Sequence, residues 1–479
     1  MSISVVNYPY CDSANLFGKV ADQPWSIFLD SGVIAGDARS SESGDFDVLA
    51  IKPRNMLVFE NGVTQFRHGS VNQSLHGDPL ALLQSSIPKF EDSEQDKETL
   101  DCAYLPGALG YFSYDLVRQY EILQTAASNE EALPEMAIGI YHVIIVVDHK
   151  KQRTQIVSTG ESAHVQAVID EWKELLEPAA DEYLDEPLLD FESEHSGRLR
   201  AGLLKENMSD KDYRECFNRV RSYTIDGDCY QVNLAKQFST KVFGDAWLTY
   251  RYLRSLSPAP YGVYFNLPFA QILSNSPESF IQCRNRQVVT SPIKGTRPRD
   301  HDDKNADKAI ANSLHNSKKD RAENLMIVDL MRNDLSRCCE LASVKVPSLF
   351  AIHSFANVHH LISTITGVLR EDLHVLDLLK SCFPGGSITG APKIRAMEII
   401  EELEPHRRGL YCGSVGYIGM DGNMETNIAI RTIVVKDGIA RFSAGGGLVI
   451  DSKVREEHQE IADKASMMNR VLTQHSNQT

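Results

Sequence analysis

The sequence of 479 residues lacks any apolar run that approaches the roughly 20 residues needed to cross a bilayer. Its longest such run, Val143–Val147, has the length of a strand. The first ten residues hold no basic segment followed by an apolar core, so we expect no secretory signal. These absences predict a cytoplasmic protein without a membrane anchor.

Regular cysteine spacing and excess basic charge are also lacking. The nine cysteines form no Cys-x-x-Cys pair, and their odd number fits a reducing compartment better than a disulfide framework. Lys and Arg total 49 against 65 Asp and Glu, which gives a net charge of −16. This balance argues against nucleic acid or an anionic membrane as a partner, but it leaves room for a local basic pocket.

The length is sufficient for one large core or for two closely packed domains. The composition, 42% apolar and 24% charged, is typical of a globular protein. Residues 177–195 differ, because they hold eight acids and neither lysine nor arginine. We therefore expect an N-terminal region at 1–176, an exposed acidic linker at 177–200 and a second domain at 201–475.

Helix and strand signals alternate in the second domain. Ser209 with Asp212 has the pattern of a capping box, and Gly227 lies where that helix should end. Asp-Gly pairs at 421–422 and 437–438 predict hairpin turns, with one strand over 425–431 between them. These turns predict a meander of neighbouring strands in this part of the chain.

A lysine held between a stiff and a flexible residue is the first candidate for chemistry. Pro292 fixes its own φ, and Gly295 lets the backbone turn or approach a ligand closely. Lys294 lies between them, just after a predicted strand at 287–290. The alternative is an ordinary solvated lysine, which is the usual state of this residue type.

A second candidate is Glu323, in a helix predicted over 318–334. Apolar residues on most sides of that helix predict that it is largely buried. A buried carboxylate needs a cation, a metal or hydrogen bonds. An ion pair with Arg321 or Arg332 is the alternative to a functional role.

The last helix, predicted from Val454, presents more charge. Its residues Glu457, Glu460 and Lys464 share one face, next to an apolar stripe. Taken alone, these three residues could form an exposed, salt-bridged surface.

Glycines and amides suggest where a ligand could approach. Gly445, Gly446 and Gly447 follow a predicted strand at 440–443 and would expose main-chain N–H groups. Gln231 and Asn233 share one face of another predicted strand, although that face could be solvated. The glycine-rich loop 383–393 enters a helix, but it lacks the Gly-Lys-Ser/Thr step of a nucleotide-binding P-loop.

Considered together, these residues suit one kind of ligand. Two or so carboxylates with waters are typical Mg²⁺ ligands. Arg431, Lys464 and the glycine amides could hold further carboxylates. The sequence therefore predicts a pocket for a multiply carboxylated small molecule bound with Mg²⁺.

Four motifs, in this order along the chain, resemble those of the chorismate-utilising enzymes. The resemblance is detailed over residues 205–472 and looser in the N-terminal part. It implies an α+β fold with two large, mostly antiparallel β-sheets packed as a sandwich, helices outside and the active site in a cleft. The motifs are Ser291–Arg299, Glu323–Asp334, Phe383–Lys393 and Ala444–Asp451.

The resemblance implies a reaction for the lysine. Lys294 would attack C2 of chorismate while the C4 hydroxyl departs, and Glu278 would protonate that hydroxyl. Ammonia would then add at C4 and expel Lys294, which gives 4-amino-4-deoxychorismate. The chemistry is consistent, since a nucleophilic lysine must be neutral and hydroxide is a poor leaving group.

The family also implies a cofactor and a substrate site. Mg²⁺ would lie on the ring carboxylate of the substrate, held by Glu323 and Glu460 with Glu457 close by. The residues expected to line the substrate site are Gln231, Thr296, His360, Tyr417, Arg431, Gly445, Gly446, Gly447 and Lys464.

Two positions distinguish members of this family. Anthranilate-forming members usually carry alanine where this chain has Lys294. Isochorismate- and salicylate-forming members usually carry a water-activating lysine where this chain has Gln231, so its absence fits ammonia as the nucleophile. Two alternatives stay open: an anthranilate-forming enzyme, and a non-catalytic amino-acid-binding regulatory subunit on the same scaffold.

The resemblance further implies a partner and a second ligand. Members of the family obtain ammonia from a glutamine amidotransferase subunit, and this chain has no Cys-His-Glu triad motif of its own. Relatives also hold tryptophan in the N-terminal part, as a structural or feedback ligand. Its expected contacts here are Ser31, Gly44, Asp45, Phe46, Pro260, Tyr261 and Gly262.

Overall fold

A computed structural model describes residues 2–34, 44–90, 101–177, 197–355 and 358–473. Most of the predicted acidic linker, residues 178–196, lies outside the described residues. No helix within these ranges is long and apolar enough to span a membrane. The α-helices are α1 (Ser13–Gly18), α2 (Pro79–Ser86), α3 (Ala163–Leu176), α4 (Asp210–Asp226), α5 (Ala246–Leu256), α6 (Lys304–His315), α7 (Lys318–Ser336), α8 (Val375–Cys382), α9 (Lys393–Leu403) and α10 (Val454–Thr473).

The β-strands come from both predicted parts of the chain. Before residue 177 they are β1 (Ile3–Pro9), β2 (Ser26–Asp30), β3 (Phe46–Ala50), β4 (Asn55–Glu60), β5 (Val63–His68), β6 (Val71–Leu75), β7 (Gly107–Phe112), β8 (Met136–Tyr141), β9 (Val143–Asp148) and β10 (Arg153–Thr159). After residue 197 they are β11 (Arg200–Ala201), β12 (Lys205–Glu206), β13 (Gln231–Phe243), β14 (Tyr261–Leu267), β15 (Ala270–Ser276), β16 (Ser279–Arg284), β17 (Gln287–Thr290), β18 (Ile293–Pro298), β19 (Lys345–Ser354), β20 (Val358–Val368), β21 (Gly390–Ala391), β22 (Ser414–Gly419), β23 (Met424–Asn427), β24 (Thr432–Lys436) and β25 (Ile439–Leu448).

These strands form two large antiparallel sheets. The first has 13 strands in the order β1-β10-β9-β3-β2-β14-β15-β24-β25-β13-β11, with β12 and β21 also paired to β13. The second has 12 strands in the order β18-β20-β17-β16-β23-β22-β7-β8-β4-β5-β6, with β19 also paired to β20. Each sheet contains strands from residues 1–176 and from residues 201–475, and the division into two domains stays a prediction.

Alternation along the strands explains how the layers pack. Ile27 and Phe28 are neighbours on β2, yet Ile27 belongs to the cluster between the sheets and Phe28 to the cluster under the outer helices. Leu109 of the second sheet lies in the same inner cluster as Ile27. Helices α1, α3, α4, α5 and α10 pack on the first sheet, and α2, α7 and α8 pack on the second. The expected α+β sandwich is confirmed.

Local signals set the helix ends. Helix α4 begins at Ser209, whose side chain and that of Asp212 cap each other's main-chain N–H groups, and it ends at Gly227 with φ of 84°. Helix α7 covers the predicted range but is less buried than expected. Its residue Leu325 is 44% exposed, because one side of the helix faces solvent.

Candidate active site

A cavity of about 310 Å³ opens where the two sheets approach each other. Strands β13 and β25 of the first sheet and β18 and β20 of the second contribute to its wall, together with helices α7 and α10. Of the predicted catalytic, metal and substrate residues it is lined by Glu278, Lys294, Thr296, Glu323, His360, Arg431, Gly445, Gly447, Glu457, Glu460 and Lys464.

Lys294 lies on β18, and its half-buried side chain lines the cavity. Its Nζ donates a hydrogen bond to the main-chain carbonyl of Ser387 at 2.9 Å. Burial lowers the pKa of Lys294 below its usual value, and this outweighs the opposite effect of Glu323 and Glu278. The lysine is therefore not an ordinary solvated one, and its environment favours the neutral amine that a nucleophile needs.

The residue after this lysine must be glycine for two reasons, its backbone conformation and the lack of room for a side chain. Gly295 has φ of 82°, and a Cβ added to it would lie 2.9 Å from Leu314 Cδ1 and 3.0 Å from Asp320 Cβ. Any other residue would push β18 away from helices α6 and α7. Glycine at this position therefore allows Lys294 to lie against the helices that carry the acids.

Glu278 lies in the short connection between β15 and β16 and is 7% exposed. Its Oε1 accepts a hydrogen bond from the Ser387 hydroxyl at 2.8 Å. Burial raises the pKa of Glu278, although Ser387 and Lys294 act in the opposite direction. Since Lys294 contacts the carbonyl of the same serine, Ser387 holds the amine of Lys294 and the carboxyl of Glu278 side by side.

Three carboxylates meet where α7 and α10 face each other. Glu323 Oε1 lies 3.9 Å, and Glu457 Oε1 lies 3.5 Å, from the Nζ of Lys319. Glu323 Oε1 is buried without a hydrogen-bond partner among the described residues, and burial raises the pKa of this carboxyl. The third carboxylate, Glu460, pairs with Lys464 at 2.6 Å.

The alternative partners of Glu323 are engaged elsewhere. Arg332 binds Asp329 at 2.8 Å, and Arg321 lies over the ring of Phe350 at 4.6 Å. Neither arginine neutralises Glu323, so this carboxylate remains directed at the cavity.

The acidic cluster fits a divalent cation that also binds substrate and water. Within the described ranges, no group of three or more His, Cys, Asp or Glu could by itself hold a metal ion. Mg²⁺ commonly takes only one or two carboxylates and completes its shell with waters and substrate oxygens. Oε1 of Glu323, which accepts no hydrogen bond from the described residues, is the kind of oxygen such an ion would bind.

Gly446 makes room for these carboxylates. A Cβ at this position would lie 3.2 Å from Glu457 Oε2 and 3.6 Å from Glu460 Oε1. Gly446 thus contacts the acidic cluster and does not line the cavity itself, unlike Gly445 and Gly447.

The glycine run continues the strand that was predicted over 440–443. Gly445–Gly447 lie inside β25, where they pair with Asn233–Ala235 of β13. The other neighbour, β24, pairs with β25 only as far as Phe442. Beyond Phe442, β24 no longer pairs with β25. The main-chain groups on that edge of β25 can therefore bind a ligand.

Lys464 ties helix α10 to this strand. Its Nζ donates to the Gly445 carbonyl at 2.9 Å and pairs with Glu460. Burial alone would raise the pKa of Glu460. The charge and the hydrogen bond of Lys464 act in the opposite direction, and the net result is a pKa below the usual value of a glutamate. Glu460 is therefore held as a carboxylate at neutral pH.

Arg431 interrupts a strand that was expected to be continuous. The predicted strand 425–431 ends at Asn427, and Arg431 adopts φ of 50° before β24 begins. Its guanidinium lines the cavity and has no hydrogen bond or ion pair to the residues that the structure describes. Burial lowers its pKa. An arginine without an internal partner suits a ligand carboxylate.

Thr296 and His360 face each other across β18 and β20. The Thr296 hydroxyl and His360 Nδ1 are 2.8 Å apart. Burial, with nearby Arg431, lowers the pKa of His360 to about 4. The imidazole is therefore neutral at physiological pH and can act as a hydrogen-bonding group.

Gln231 lies next to the cavity without lining it. It is fully buried, so the polar face of β13 is not solvated as the alternative proposed. Both its amide atoms lack hydrogen-bond partners among the described residues. A Cβ at Gly447 would lie 2.9 Å from Gln231 Nε2, so the glutamine packs against the glycine strand.

Tyr417 is not in this cavity, contrary to the prediction. Its hydroxyl donates to the Leu105 carbonyl at 2.5 Å and accepts from the Leu105 N–H at 3.0 Å. The ring packs against Tyr104 between the sheets, with centroids 5.2 Å apart. Because β22 lies centrally in the second sheet, its inward face meets the other sheet and not the cavity.

Tyr417 instead lines a second cavity of about 50 Å³. Five of the predicted tryptophan contacts line it as well, namely Ser31, Phe46, Pro260, Tyr261 and Gly262. Gly44 lies beside them, with its N–H donating to the Ser31 carbonyl at 3.2 Å. Asp45 does not line this cavity, because its carboxylate pairs with Lys150 at the surface at 2.7 Å.

Several residues that line the first cavity were not assigned to the site from the sequence, among them Ser387, Asn233 and Lys319. Ser387 lies within the glycine-rich loop 383–393, and that loop was the only signal for it. Asn233 was noted on the polar face of β13, and it lines the cavity. Lys319 had no signal beyond its position one turn before Glu323.

Known proteins resemble this chain over nearly its whole length. A family model described as chorismate binding enzyme matches residues 40–470. The chain is 42% identical to aminodeoxychorismate synthase component 1 of Escherichia coli (strain K12), over 96% of this chain and 95% of that protein. It is 39% identical to anthranilate synthase component 1 of Thermus thermophilus, over 95% of this chain and 94% of that protein.

A solved structure agrees with the fold. The crystal structure of anthranilate synthase component I from Streptococcus pneumoniae TIGR4 superposes with a TM-score of 0.76 at 31% identity, and the match covers 91% of this chain and 93% of that one. The resemblance seen in the four sequence motifs is thereby confirmed. The chain belongs to the chorismate binding enzyme family.

Proposed function

We propose that this chain is the chorismate-converting component of an aminodeoxychorismate synthase. It combines chorismate with ammonia to form 4-amino-4-deoxychorismate, on the route to 4-aminobenzoate and folate. The observation that carries this proposal is Lys294, which lines the cavity together with Glu278. Anthranilate-forming members of the family usually have alanine at that position.

Overall similarity gives weaker support than this residue. The Escherichia coli relative named for aminodeoxychorismate synthesis is 42% identical, and the Thermus thermophilus relative named for anthranilate synthesis is 39% identical. The two values differ too little to select a reaction by themselves. The choice between the two reactions therefore rests on the residues of the cavity.

In the first step, Lys294 Nζ bonds to C2 of chorismate, the ring double bonds shift, and the C4–O bond breaks. Glu278 donates its proton to the departing hydroxyl, which leaves as water. In the second step, ammonia bonds to C4, the C2–Nζ bond breaks and returns the amine to Lys294, and the extra proton of the new ammonium group returns to Glu278. Chorismate and ammonia thus give 4-amino-4-deoxychorismate and water, and the enolpyruvyl group is retained.

Ser387 contacts both reacting groups. Its carbonyl accepts from Lys294 Nζ, and its hydroxyl donates to Glu278. Burial lowers the pKa of the first group and raises that of the second. Each shift favours the protonation state that the step requires.

Cationic and neutral donors would hold the substrate. The free guanidinium of Arg431 would pair with one carboxylate, with neutral His360 and Thr296 nearby. Lys464 and the edge of β25 at Gly445 and Gly447 would face the other carboxylate. Gln231 would support that edge from behind and would supply no base to activate water.

The acidic cluster would hold Mg²⁺. Glu323 and Glu460 would bind the ion, with Glu457 close by, and Gly446 leaves space for their oxygens. A bound Mg²⁺ supplies a Lewis acid that draws electron density from the ring through its carboxylate.

A partner subunit would supply the ammonia. The relatives named component 1 imply a second component, for which a glutamine amidotransferase is the class that releases ammonia. All nine cysteines are free, which suits the proposed cytoplasmic location.

We also propose that the second cavity is the tryptophan site. Ser31, Phe46, Pro260, Tyr261 and Gly262 support this assignment because they line one cavity. That cavity must widen to admit an indole ring, since its volume is about 50 Å³. Calorimetric titration with tryptophan tests the assignment, and the absence of binding heat at millimolar ligand would remove it.

Product identification tests the function. The purified chain is incubated with chorismate, Mg²⁺ and ammonium, without a partner, and products are separated by mass spectrometry. Aminodeoxychorismate is expected. Anthranilate or isochorismate as the main product would assign another member of the family, and no turnover would favour the non-catalytic regulatory subunit.

A further inference from the structure

Lys319 occupies the position of a counter-ion in the acidic cluster. Its Nζ lies between Glu323, at 3.9 Å, and Glu457, at 3.5 Å. The lysine side chain is 47% exposed, whereas Glu457 is only 3% exposed. The lysine thus reaches from solvent toward two more deeply buried carboxylates.

The cluster needs positive charge even without substrate. Carboxylates that share a buried site repel one another, and a buried carboxylate is costly unless it is paired. Lys464 pairs with Glu460 at 2.6 Å, and Lys319 forms the ion pairs to Glu323 and Glu457, while Lys294 also attracts Glu323 from the cavity side. Among the described residues, no other lysine or arginine forms an ion pair with either of these two carboxylates.

The ion pairs of Lys319 are longer than the pair between Lys464 and Glu460. Both distances lie near the outer limit of an ion pair, and a half-exposed lysine on a long, flexible stem can return to water at little cost. A divalent cation would offer the same carboxylates a stronger and more compact charge.

We propose that Lys319 is a displaceable counter-ion that holds Glu323 and Glu457 together in the absence of a divalent cation and moves to solvent when the cation binds. This role rests on the proposed function, since that function places the cation at Glu323 and Glu460 with Glu457 close by. Lys319 therefore lowers the affinity for the cation and is a positioning residue, not a catalytic one.

Cation binding can be measured without the reaction. Mn²⁺ replaces Mg²⁺, and free Mn²⁺ is counted by electron paramagnetic resonance in the presence of the full-length protein alone. The variants are Lys319→Gln, Lys319→Arg and the matched control Lys318→Gln. Lys318 is the neighbouring exposed lysine and forms no ion pair with a described residue, so it undergoes the same charge change outside the cluster.

The expected result is that Lys319→Gln binds Mn²⁺ about fivefold more tightly than the wild type, as the loss of a half-exposed ion pair implies. Lys319→Arg and Lys318→Gln are expected to bind like the wild type. Without metal, the melting temperature of Lys319→Gln should fall, and saturating Mn²⁺ should restore it to the wild-type value.

The proposal is overturned if Lys319→Gln binds Mn²⁺ no more tightly than Lys318→Gln, or if neither variant nor the wild type binds the ion. If Lys319→Gln does not fold, tighter binding by Lys319→Arg than by the wild type would also contradict it. Because no product is measured, a failure here is separate from a failure of the proposed reaction.

Discussion

Arg408 and Glu404 form a buried ion pair in which the guanidinium Nη2 lies 2.7 Å from Glu404 Oε1. The same guanidinium donates to the main-chain carbonyls of Asn233 and Ile388, both at 2.8 Å. Glu404 Oε1 accepts from the main-chain N–H of Ala235 at 2.9 Å. The pair thus joins β13 to the turn that carries Ile388, on two sides of the active-site cavity.

Loss of this arginine should destabilise the protein strongly. In Arg408→Met, Glu404 keeps its charge in a buried site without a cation, which costs roughly 3–5 kcal/mol in the free energy of unfolding. Urea unfolding of the wild type and the variant measures the difference. The control is Arg395→Met, whose arginine is 33% exposed and pairs with Glu398 on the surface of α9, and it should cost less than about 1 kcal/mol.

The double variant Glu404→Gln/Arg408→Met sharpens this test. It removes both charges while leaving an amide oxygen that can accept from Ala235. The double variant should therefore be more stable than Arg408→Met alone. Equal stability of Arg408→Met and Arg395→Met would show that the buried pair does not tie the two sides together.

The sequence predicted the elements that depend on local chemistry. The Ser209–Asp212 capping box and Gly227 mark the ends of α4 because each acts on adjacent backbone groups. Lys294 was recognised because proline and glycine flank it. Each of these signals lies within a few residues of the sequence, so it can be recognised before the fold is known.

The parts that were missed depend on distant partners. Ser387 meets Lys294 only because the loop of residues 383–393 folds against β18, 93 residues away along the chain. Tyr417 was assigned to the substrate site by the family resemblance, and a motif match does not give the layer that the inward face of β22 meets. Arg431 has a left-handed backbone that nothing in a run of apparently alternating residues reveals.

Lys294→Ala should abolish the covalent step. With no amine in the cavity, turnover of chorismate with ammonium should fall by roughly 10³-fold or more. Intact-mass spectrometry after mixing with chorismate should show an adduct on the wild type and none on the variant. Lys318→Ala, an exposed lysine outside the cavity, is the control and should keep both turnover and adduct. Equal turnover of Lys294→Ala and the wild type would exclude the lysine mechanism.

The pH dependence should report the two shifted groups. Activity requires neutral Lys294, so it falls as pH drops, and the lowered pKa of Lys294 moves that loss to lower pH. Activity also requires protonated Glu278, so it falls as pH rises, and the raised pKa of Glu278 moves that loss to higher pH. The profile of kcat/KM should therefore be bell-shaped.

The variant Glu278→Gln tests separately the loss of activity at low pH and the loss at high pH. The amide cannot donate the proton, so kcat should fall by roughly 10²–10⁴-fold. It also has no proton to lose, so the remaining activity should no longer decrease as pH rises, while the loss at low pH persists. A variant that keeps the high-pH decrease would show that another group is the acid.

Gly446→Ala should weaken cation binding while leaving the fold intact. The added Cβ would lie 3.2 Å from Glu457 Oε2 and 3.6 Å from Glu460 Oε1. The distance to Glu457 is shorter than an ordinary van der Waals contact. Gly446 does not have a positive φ, so alanine adds no backbone strain. Glu457 is 3% exposed and has little space to move, so the oxygens should shift away from their binding positions.

Mn²⁺ titration measures this effect, with an expected loss of affinity of about threefold to tenfold, since a displaced carboxylate forfeits much of a charge-assisted contact. The control is Gly202→Ala, where the nearest atoms to an added Cβ are 3.8 Å away and no metal ligand is near. Unchanged Mn²⁺ affinity in Gly446→Ala, with a normal melting temperature, would mean that the cation does not lie between Glu457 and Glu460. In that case Glu323 would be the carboxylate on which cation binding depends, and Glu323→Gln rather than Gly446→Ala would weaken it.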